Sequence, residues 1–210
     1  MVEKINTKSN INTKEKLELA ALELFSRKGY QAVSIRDICG VVGIKESSVY
    51  YHFKNKQALM DSLINKVDGI VEEMRERFDR KFAVAENVSE EAMGEVAVGI
   101  LENYLLHPYV FKVISILSIE RMRDAGADLN YQKLLFDLPL AQQEKVFGEM
   151  MDRGYIKKNQ AAFLAQEYQA IIYFAFQKNC VGPCLEDSGI ETAKREIRDN
   201  IRDIYRKMLG

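Results

Sequence analysis

Hydrophobic residues recur along most of the chain at the three- and four-residue steps of amphipathic helices. In the first block Leu17, Leu24 and Phe25 fall on one face, after a capping-box pattern that starts at Asn12 and before a stop signal at Gly29. Because this helical spacing is found almost everywhere, the pattern predicts an all-α fold.

Two short predicted helices follow the first one and are joined by a glycine turn. Ser34-Ile35-Arg36-Asp37 has the pattern of a capped helix start, and Gly43 ends that helix. The next helix is predicted to begin at Lys45 or Glu46 and to continue to about Phe53. Two short helices joined in this way, beside a longer supporting helix, form a helix-turn-helix.

The third predicted helix carries the string Tyr50-Tyr51-His52, which is flanked by serines and lysines. With Val49 and Phe53 pointing inward, these polar tips are distributed over the outward faces. Hydroxyl, imidazole and ammonium groups donate hydrogen bonds to phosphate oxygens, and a helix N-terminus adds backbone N–H groups. The cluster therefore favours contact with a nucleic acid over a solvated helix with some aromatic filling.

Residues 13–60 resemble the DNA-binding head of the tetracycline-repressor (TetR) family of bacterial transcription regulators. The resemblance rests on the strings LFSRKGYQAVSIRDIC and VGIKESSVYYHFKNKQAL. It implies an all-helical homodimer that binds a near-palindromic double-stranded DNA operator through its heads and a small-molecule effector through its bodies. The DNA contacts that it implies are Ser34, Lys45, Glu46, Ser47, Ser48, Tyr50, Tyr51, His52, Lys54 and Lys56.

Two positions depart from the family pattern. Glu46 and Ser47 stand where the family commonly has lysine and glycine. Glutamate cannot pair with phosphate, so Glu46 either accepts from a cytosine amino group or points away from DNA. A helical ligand-binding or interaction protein that has lost operator binding is therefore the alternative to a ligand-released repressor.

An enzyme that retains a DNA-binding head is disfavoured by the motifs. The sequence contains no G-x-x-x-x-G-K, no G-x-S-x-G and no H-E-x-x-H. We therefore expect no catalytic residues.

The rest of the chain is predicted to be a second functional region. Residues 1–56 are expected to form the helix-turn-helix DNA-binding domain, and residues 57–210 a helical regulatory, ligand-binding and dimerisation domain. Helical spacing predicts elements over residues 59–74, 96–105 and 111–122, after which the DAGAD string breaks the pattern. A further helix is predicted to open at Asp137 and to end at Gly154.

The last two predicted helices differ from the others. Residues 161–176 are apolar nearly all round, and the final helix has a narrow apolar stripe between charged positions. Such a stripe packs within the chain or against a second copy. Because one helix-turn-helix head reads only one half-site, the second copy is favoured. The predicted dimer interface comprises Phe163, Ile171, Phe174, Ile197, Ile201, Ile204 and Met208.

Aromatic residues are concentrated in the predicted regulatory region, a composition that fits both a helix-lined pocket and an ordinary core. The only histidines, His52 and His107, are far apart in sequence. This disfavours a metal or a metal-chelate ligand, so an apolar or weakly polar effector is expected and no cofactor is predicted. The predicted ligand-binding residues are Tyr104, Phe111, Met122, Phe147, Met151, Tyr168 and Tyr173.

Charge is distributed unevenly along the chain. Residues 1–60 carry ten Lys and Arg against six Asp and Glu (+4), and residues 61–210 carry twenty against twenty-five (−5), which sums to the net −1. A basic head suits an anionic partner. Since no charge-free run has the length of a membrane span and residues 1–12 do not resemble a secretory signal, we expect a cytoplasmic protein.

The three cysteines are an odd number for a disulfide framework. Cys180 and Cys184 are spaced one residue further apart than a C-x-x-C pair. Loop or core cysteines are therefore preferred to a thiol switch.

Overall fold

The computed structural model of the chain describes residues 12–158, 160–182 and 185–209. Across these ranges the regular secondary structure is helical, which confirms the predicted all-α fold class. The α-helices are α1 (Thr13–Lys28), α2 (Ile35–Val42), α3 (Glu46–Val49), α4 (Lys56–Ala83), α5 (Glu90–Ile100), α6 (Pro108–Glu120), α7 (Ala125–Gln132), α8 (Leu138–Asp152), α9 (Ala161–Cys180) and α10 (Asp187–Leu209). Two π-helical segments, Leu101–Leu105 and Lys133–Asp137, continue α5 and α7.

The helices group into two compact units, each built from separate parts of the sequence. The described part of the first unit comprises residues 12–71 and 108–131, and that of the second comprises residues 72–107 and 132–209. The boundary predicted after residue 56 divides the chain by function, whereas these units are defined by compactness. That boundary therefore stays a prediction.

Helix α6 belongs to the first unit because it packs on α1. Lys112 on α6 donates a hydrogen bond to the Glu23 carboxylate on α1. This bond and the lysine charge lower the pKa of Glu23 despite partial burial. At the end of α1, Gly29 has a φ of 82°, and a Cβ there would lie 3.0 Å from Glu120 Oε1 on α6. Glycine therefore permits both the turn and the close approach of that carboxylate.

The caps of the helix-turn-helix form where the sequence predicts them. Ser34 Oγ accepts from the Asp37 backbone N–H at 3.2 Å, and Asp37 Oδ2 accepts from the Ser34 backbone N–H at 2.8 Å. The Ser34 hydroxyl and the Ser34 backbone N–H both donate to the Asp37 carboxylate, and these two bonds lower the pKa of Asp37. Gly43 closes α2 in the left-handed conformation, with φ 78° and ψ 34°.

Two helix boundaries differ from the sequence-based expectation. Helix α3 ends at Val49 rather than near Phe53, because residues 50–52 form a turn. The DAGAD string starts α7 rather than only breaking the pattern, since Asp124 Oδ1 accepts from the Ala127 backbone N–H at 2.6 Å.

The apolar stripe of α10 packs inside the second unit, against α5 and α9. Ile197, Ile201 and Met208 are buried within the single chain, and Ile204 is half-buried. The expectation that Ile197, Ile201 and Met208 face a second copy is therefore wrong. The sequence pattern correctly identified an apolar face, but the surface that covers it is provided by the same chain.

Ile201→Ala tests this packing. Loss of the buried side chain should lower the free energy of unfolding by about 2 to 5 kcal/mol, since it removes apolar burial and leaves a cavity. Urea denaturation followed by circular dichroism measures the change. The matched control is Leu209→Ala, at a half-exposed position of the same helix, and it should shift stability by less than about 0.5 kcal/mol. A stable, fully helical Ile201→Ala variant that dissociates into monomers would contradict the intrachain packing.

Candidate nucleic-acid interface and regulatory sites

The turn after α3 exposes two adjacent aromatic rings. Tyr50 and Tyr51 are 56% and 87% exposed, whereas Val49 and Phe53 on either side are buried. The His52 ring makes an edge contact with Tyr51, with the centroids 5.1 Å apart. Buried neighbours thus fix the backbone while each tyrosine presents a flat apolar ring and a hydroxyl donor, a combination suited to the sugar-phosphate backbone.

The polar residues around this turn are exposed as well. They are Lys45, Glu46, Ser47, Ser48 and Lys54. Lys45 immediately precedes α3, so its ammonium group lies at the start of the segment that carries the rings. The structure therefore brings these predicted DNA contacts together with the tyrosines on one continuous stretch of the head.

Ser34 lies at the start of α2, and its hydroxyl is already engaged. Its Oγ donates to Asp37 Oδ2 at 2.6 Å in addition to capping the helix. A phosphate contact through this hydroxyl would require the bond to Asp37 to break, although the residue itself is exposed.

Lys56 differs from the other predicted DNA contacts because its ammonium group has intramolecular partners. Nζ lies 3.0 Å from the carbonyl oxygens of both Tyr30 and Val33, and 4.1 Å from the centroid of the Tyr30 ring. Burial lowers the pKa of Lys56. This geometry favours a structural role, in which Lys56 holds the start of α4 against the α1–α2 loop, over a phosphate contact.

Arg36 is a candidate contact that the motif comparison did not include. It is exposed on α2, two residues after the Ser34 cap. The signal available in the sequence was its positive charge within a basic head.

The seven predicted ligand-binding residues do not form one set in the structure. Tyr104, Phe147 and Tyr168 are buried in the second unit, and Met151 and Tyr173 of that unit are partly exposed. The other two, Phe111 and Met122, belong to the first unit, and Met122 is 86% exposed on its surface. Five residues of the prediction thus remain together in one unit.

Within the second unit, the buried tyrosines are tied to backbone carbonyls. The Tyr104 hydroxyl donates to Leu134 O, which links the two π-helical segments, and the Tyr168 hydroxyl donates to Met93 O at 3.3 Å. The rings of Phe147 and Tyr168 meet edge to face with their centroids 5.6 Å apart. Burial strongly raises the pKa of Tyr168, so this hydroxyl stays protonated as a donor.

A buried amide on α9 adds a polar feature to this core. Gln169 is buried, and neither its Nε2 nor its Oε1 has a hydrogen-bond partner in the part of the chain that the structure describes. Buried polar groups are normally paired, so an orphaned amide indicates a position where an additional polar partner would be stabilising.

A cavity of about 200 Å³ lies within the first unit and contains none of the seven predicted ligand-binding residues. Its walls come from the α1–α2 loop, α4, α6 and α7. Sequence periodicity could not identify it because its polar lining comes from residues far apart in the chain.

The predicted dimer residues on α9 remain accessible, in contrast to those buried on α10. Phe163 and Phe174 are 53% and 66% exposed, and Ile171 is half-buried. They share a face with the exposed Ala170. Exposed phenylalanines in such a group are typical of a surface that contacts another protein chain.

Two further features of the described residues bear on the predicted chemistry. No group of three or more His, Cys, Asp or Glu residues within residues 12–158, 160–182 and 185–209 could hold a metal ion. No helix in those ranges has the length and apolar character of a membrane span.

Cys39 and Cys180 are buried free thiols. Burial raises the pKa of both thiols, which makes them poor nucleophiles. Cys184 lies outside the described residues.

Comparisons of sequence place the head in a known group. Residues 19–63 match the family model described as bacterial regulatory proteins, tetR family. The chain is also 39% identical over 51 residues to the biofilm operon icaADBC HTH-type negative transcriptional regulator IcaR of Staphylococcus aureus. That match covers 24% of this chain and 27% of IcaR, so the chain spans about a quarter of the length of this relative.

Comparisons of structure extend the likeness to the whole fold. A crystal structure described as a TetR-family transcriptional regulator from Mesorhizobium loti MAFF303099 superposes with a TM-score of 0.76 at 16% identity, covering 94% of this chain and 96% of that one. The flavonoid-responsive regulator FrrA superposes with a TM-score of 0.60 at 14% identity, covering 92% and 95%. Residues 19–63 thus carry the signature of the tetR family of bacterial regulatory proteins, and the chain shares its all-helical fold with a TetR-family structure.

Proposed function

We propose that this chain is a homodimeric, ligand-responsive repressor that acts in the cytoplasm on a near-palindromic DNA operator. The observation that carries the proposal is the exposed Tyr50–Tyr51 pair, held in place by buried Val49 and Phe53 in a TetR-family head. The proposal includes no catalytic activity and no cofactor.

Contacts in the head divide into those that position the protein on DNA and those that read its sequence. Tyr51, Lys45 and Lys54 present donors suited to phosphate oxygens, which fix register without carrying sequence information. Glu46 and Ser47 are exposed at the start of α3, and a carboxylate there accepts from a cytosine amino group. We therefore assign base recognition to Glu46 and Ser47 and backbone contacts to the tyrosines and lysines.

Repression is supported by the described role of one relative. IcaR, whose likeness to this chain is confined to 51 residues, is named a negative transcriptional regulator. Ligand responsiveness is supported by FrrA, which shares the fold and is named for its response to flavonoids. These two names are the reason for proposing repression rather than activation and for proposing an effector. They do not identify the effector of this chain.

We place the proposed effector site in the second unit, in which Tyr104, Phe147 and Tyr168 are buried and the Gln169 amide has no partner among the described residues. A molecule that is mostly apolar and carries one polar group would match aromatic walls and an unpaired amide. Such a ligand releases the operator only if it binds more tightly to a conformation in which the heads cannot engage both half-sites.

The proposed dimer interface is the exposed apolar face of α9, formed by Phe163, Ala170, Ile171 and Phe174. The neighbouring positions of α10 that remain exposed are mostly charged. In a two-fold dimer the same face of each copy meets its twin, so one apolar face per chain is sufficient. This assignment retains the α9 residues of the sequence-based prediction and omits the buried α10 residues.

The alternative function, a helical interaction protein without operator binding, is motivated by Glu46. Its exposed carboxylate lies beside the positions assigned to phosphate contact. Fluorescence anisotropy with DNA from the region upstream of the protein's own gene separates the two functions, because only a DNA-binding regulator shows saturable binding that resists excess unrelated DNA.

Tyr51→Ala should weaken binding to operator and to unrelated DNA by a similar factor. Loss of one hydroxyl contact, worth about 1 kcal/mol, corresponds to about fivefold per head. Anisotropy titrations at fixed salt measure the change, with Leu129→Ala, another exposed apolar position, as the control. If the variant loses operator binding but keeps its affinity for unrelated DNA, Tyr51 reads sequence and its assignment to the backbone is wrong.

Lys54→Ala and Lys56→Ala form a matched pair that separates phosphate contact from structural support. Lys54→Ala should reduce the magnitude of the salt slope of DNA binding by about one per chain while leaving stability nearly unchanged. Lys56→Ala should leave the slope unchanged and lower the free energy of unfolding by about 1 to 3 kcal/mol, since two carbonyls lose a charged donor. The opposite result, a reduced slope and unchanged stability for Lys56→Ala, would restore Lys56 to the phosphate contacts.

Phe174→Asp should shift the protein from dimer to monomer while preserving its helix content. A carboxylate in the centre of an apolar interface is costly to bury, whereas at an exposed position of a monomer it is not. Sedimentation velocity and circular dichroism measure the two properties, and Val84→Asp, at an exposed apolar position outside this face, is the control. A Phe174→Asp variant that sediments as a dimer would rule out the α9 interface.

A further inference from the structure

The cavity of the first unit is lined by both acidic and apolar residues. Its charged lining residues are Asp61, Glu120 and Asp124, and Met60, Ile64 and Leu117 provide an apolar wall. No lysine or arginine lines it among the residues that the structure describes. Its volume is about 200 Å³.

Glu120 has the weakest hydrogen bonding of the three carboxylates. It is only 7% exposed, yet its sole hydrogen bond within the described chain is a long one, 3.4 Å from the Gln31 backbone N–H to Oε1. It forms no ion pair with any described residue. A buried carboxylate ordinarily has several donors or a cationic partner, so Glu120 retains capacity to accept from a ligand.

The other two carboxylates have local hydrogen bonds. Asp124 Oδ1 accepts from the Ala127 N–H at 2.6 Å, and Asp61 Oδ1 accepts from Gln57 Nε2 at 2.9 Å. Their negative charge nevertheless adds to that of Glu120 in the cavity. Tyr30 also lines the cavity and is affected by this charge. Burial is the largest cause that raises the pKa of Tyr30, and the negative charges of all three carboxylates raise it further.

The ammonium group of Lys56 interacts electrostatically with Glu120, but its direct contacts are made elsewhere. Lys56 Nζ lies over the Tyr30 ring and donates to two backbone carbonyls, so it does not form an ion pair with Glu120. The cavity therefore keeps a negative potential beside an apolar wall, and this combination attracts an amphiphilic cation.

We propose that this cavity binds a small organic ammonium ion. The ammonium group donates to Glu120, and the hydrocarbon part packs against Met60, Ile64 and Leu117. A dry cavity of about 150 Å³ accepts benzene, so the present volume admits one six-membered ring with a short aminoalkyl group. A metal ion fits less well, because Asp61, Glu120 and Asp124 do not form a group that could hold a metal, and no such group exists among the described residues.

The inference adds a site in the first unit to the effector site proposed in the second unit, and only its consequence at the operator rests on the proposed function. Tyr30 and Gln31 belong to the loop that leads to the Ser34 cap of α2, and Gln31 shares the Glu120 carboxylate with the bound ion. An occupant of the cavity thus contacts the loop on which the helix-turn-helix depends. We assign the cavity as an effector site for ammonium ligands.

Three probes of nearly equal size test the charge requirement on the full chain. Benzylammonium, benzyl alcohol and benzoate are titrated at constant ionic strength near pH 7, and binding is measured by chemical-shift changes of backbone amides. Benzylammonium should bind saturably and at least about tenfold more tightly than the other two, since each tenfold step is about 1.4 kcal/mol. The amides of Gln31 and Asp124 should shift most.

Variants assign the binding to this cavity. Glu120→Gln removes the charge and should weaken benzylammonium at least tenfold, whereas Glu144→Gln, at an exposed position of α8, should have no effect. Ala127→Leu fills the cavity while leaving Glu120 in place, and it should abolish binding as well. Circular dichroism verifies that each variant is folded. If one of the two cavity variants does not fold, the other still tests the site.

The outcomes separate this inference from the proposed function. Equal binding of the three probes, no saturable binding, or binding insensitive to both cavity variants would overturn the ammonium site. Operator anisotropy without any probe tests DNA binding independently. A protein that binds operator but not benzylammonium retains the proposed function without this site, and one that binds benzylammonium but no DNA retains the site without the function. Saturating benzylammonium should change operator affinity of the wild type and not of Ala127→Leu.

Discussion

The position of residues 46–53, which carry the exposed tyrosines, depends on the burial of two side chains, Val49 and Phe53. Helix α3 has only four residues, and an isolated helix of that length has no stability in water. Its place in the head is therefore set by tertiary packing rather than by helix propensity. Because the two buried residues are four apart, the backbone between them is fixed, and Tyr50 and Tyr51 are held outward. The exposed rings are a consequence of the core beneath them.

Features fixed by nearby residues could be predicted from the sequence. The caps at Asn12 and Ser34 form as predicted because their donors lie three residues away in the chain. The extent of α3 and the start of α7 were predicted less well. In both places a local choice between helix and turn was decided by something that apolar periodicity does not record, namely the packing of Phe53 and the capping bond of Asp124.

Long-range partners account for what the sequence could not predict. The sequence pattern identified the α10 stripe as apolar. Periodicity predicts that Ile201 is buried, but it does not show whether the same chain or a second copy buries it. Lys56 matched a motif position for phosphate contact, while its actual partners, two carbonyls of the α1–α2 loop, lie more than twenty residues earlier. Glu120 carried no motif at all. Its significance arises from burial next to Gly29 and Gln31, a proximity that only folding creates.

Tyr30 links Lys56 at the start of α4 to the cavity of the first unit. Its carbonyl accepts from Lys56, its ring lies under the same ammonium group, and its hydroxyl bonds to Gln57 Oε1 at the cavity wall. An ion in the cavity and a DNA molecule on the head would therefore act on one loop from two sides. If the ion prefers one arrangement of that loop, DNA must change the affinity for the ion by the same factor as the ion changes the affinity for DNA, because the coupling free energy belongs to the pair. The modest size of such couplings, about 1 to 3 kcal/mol, matches the few hydrogen bonds that Tyr30 and Gln31 contribute.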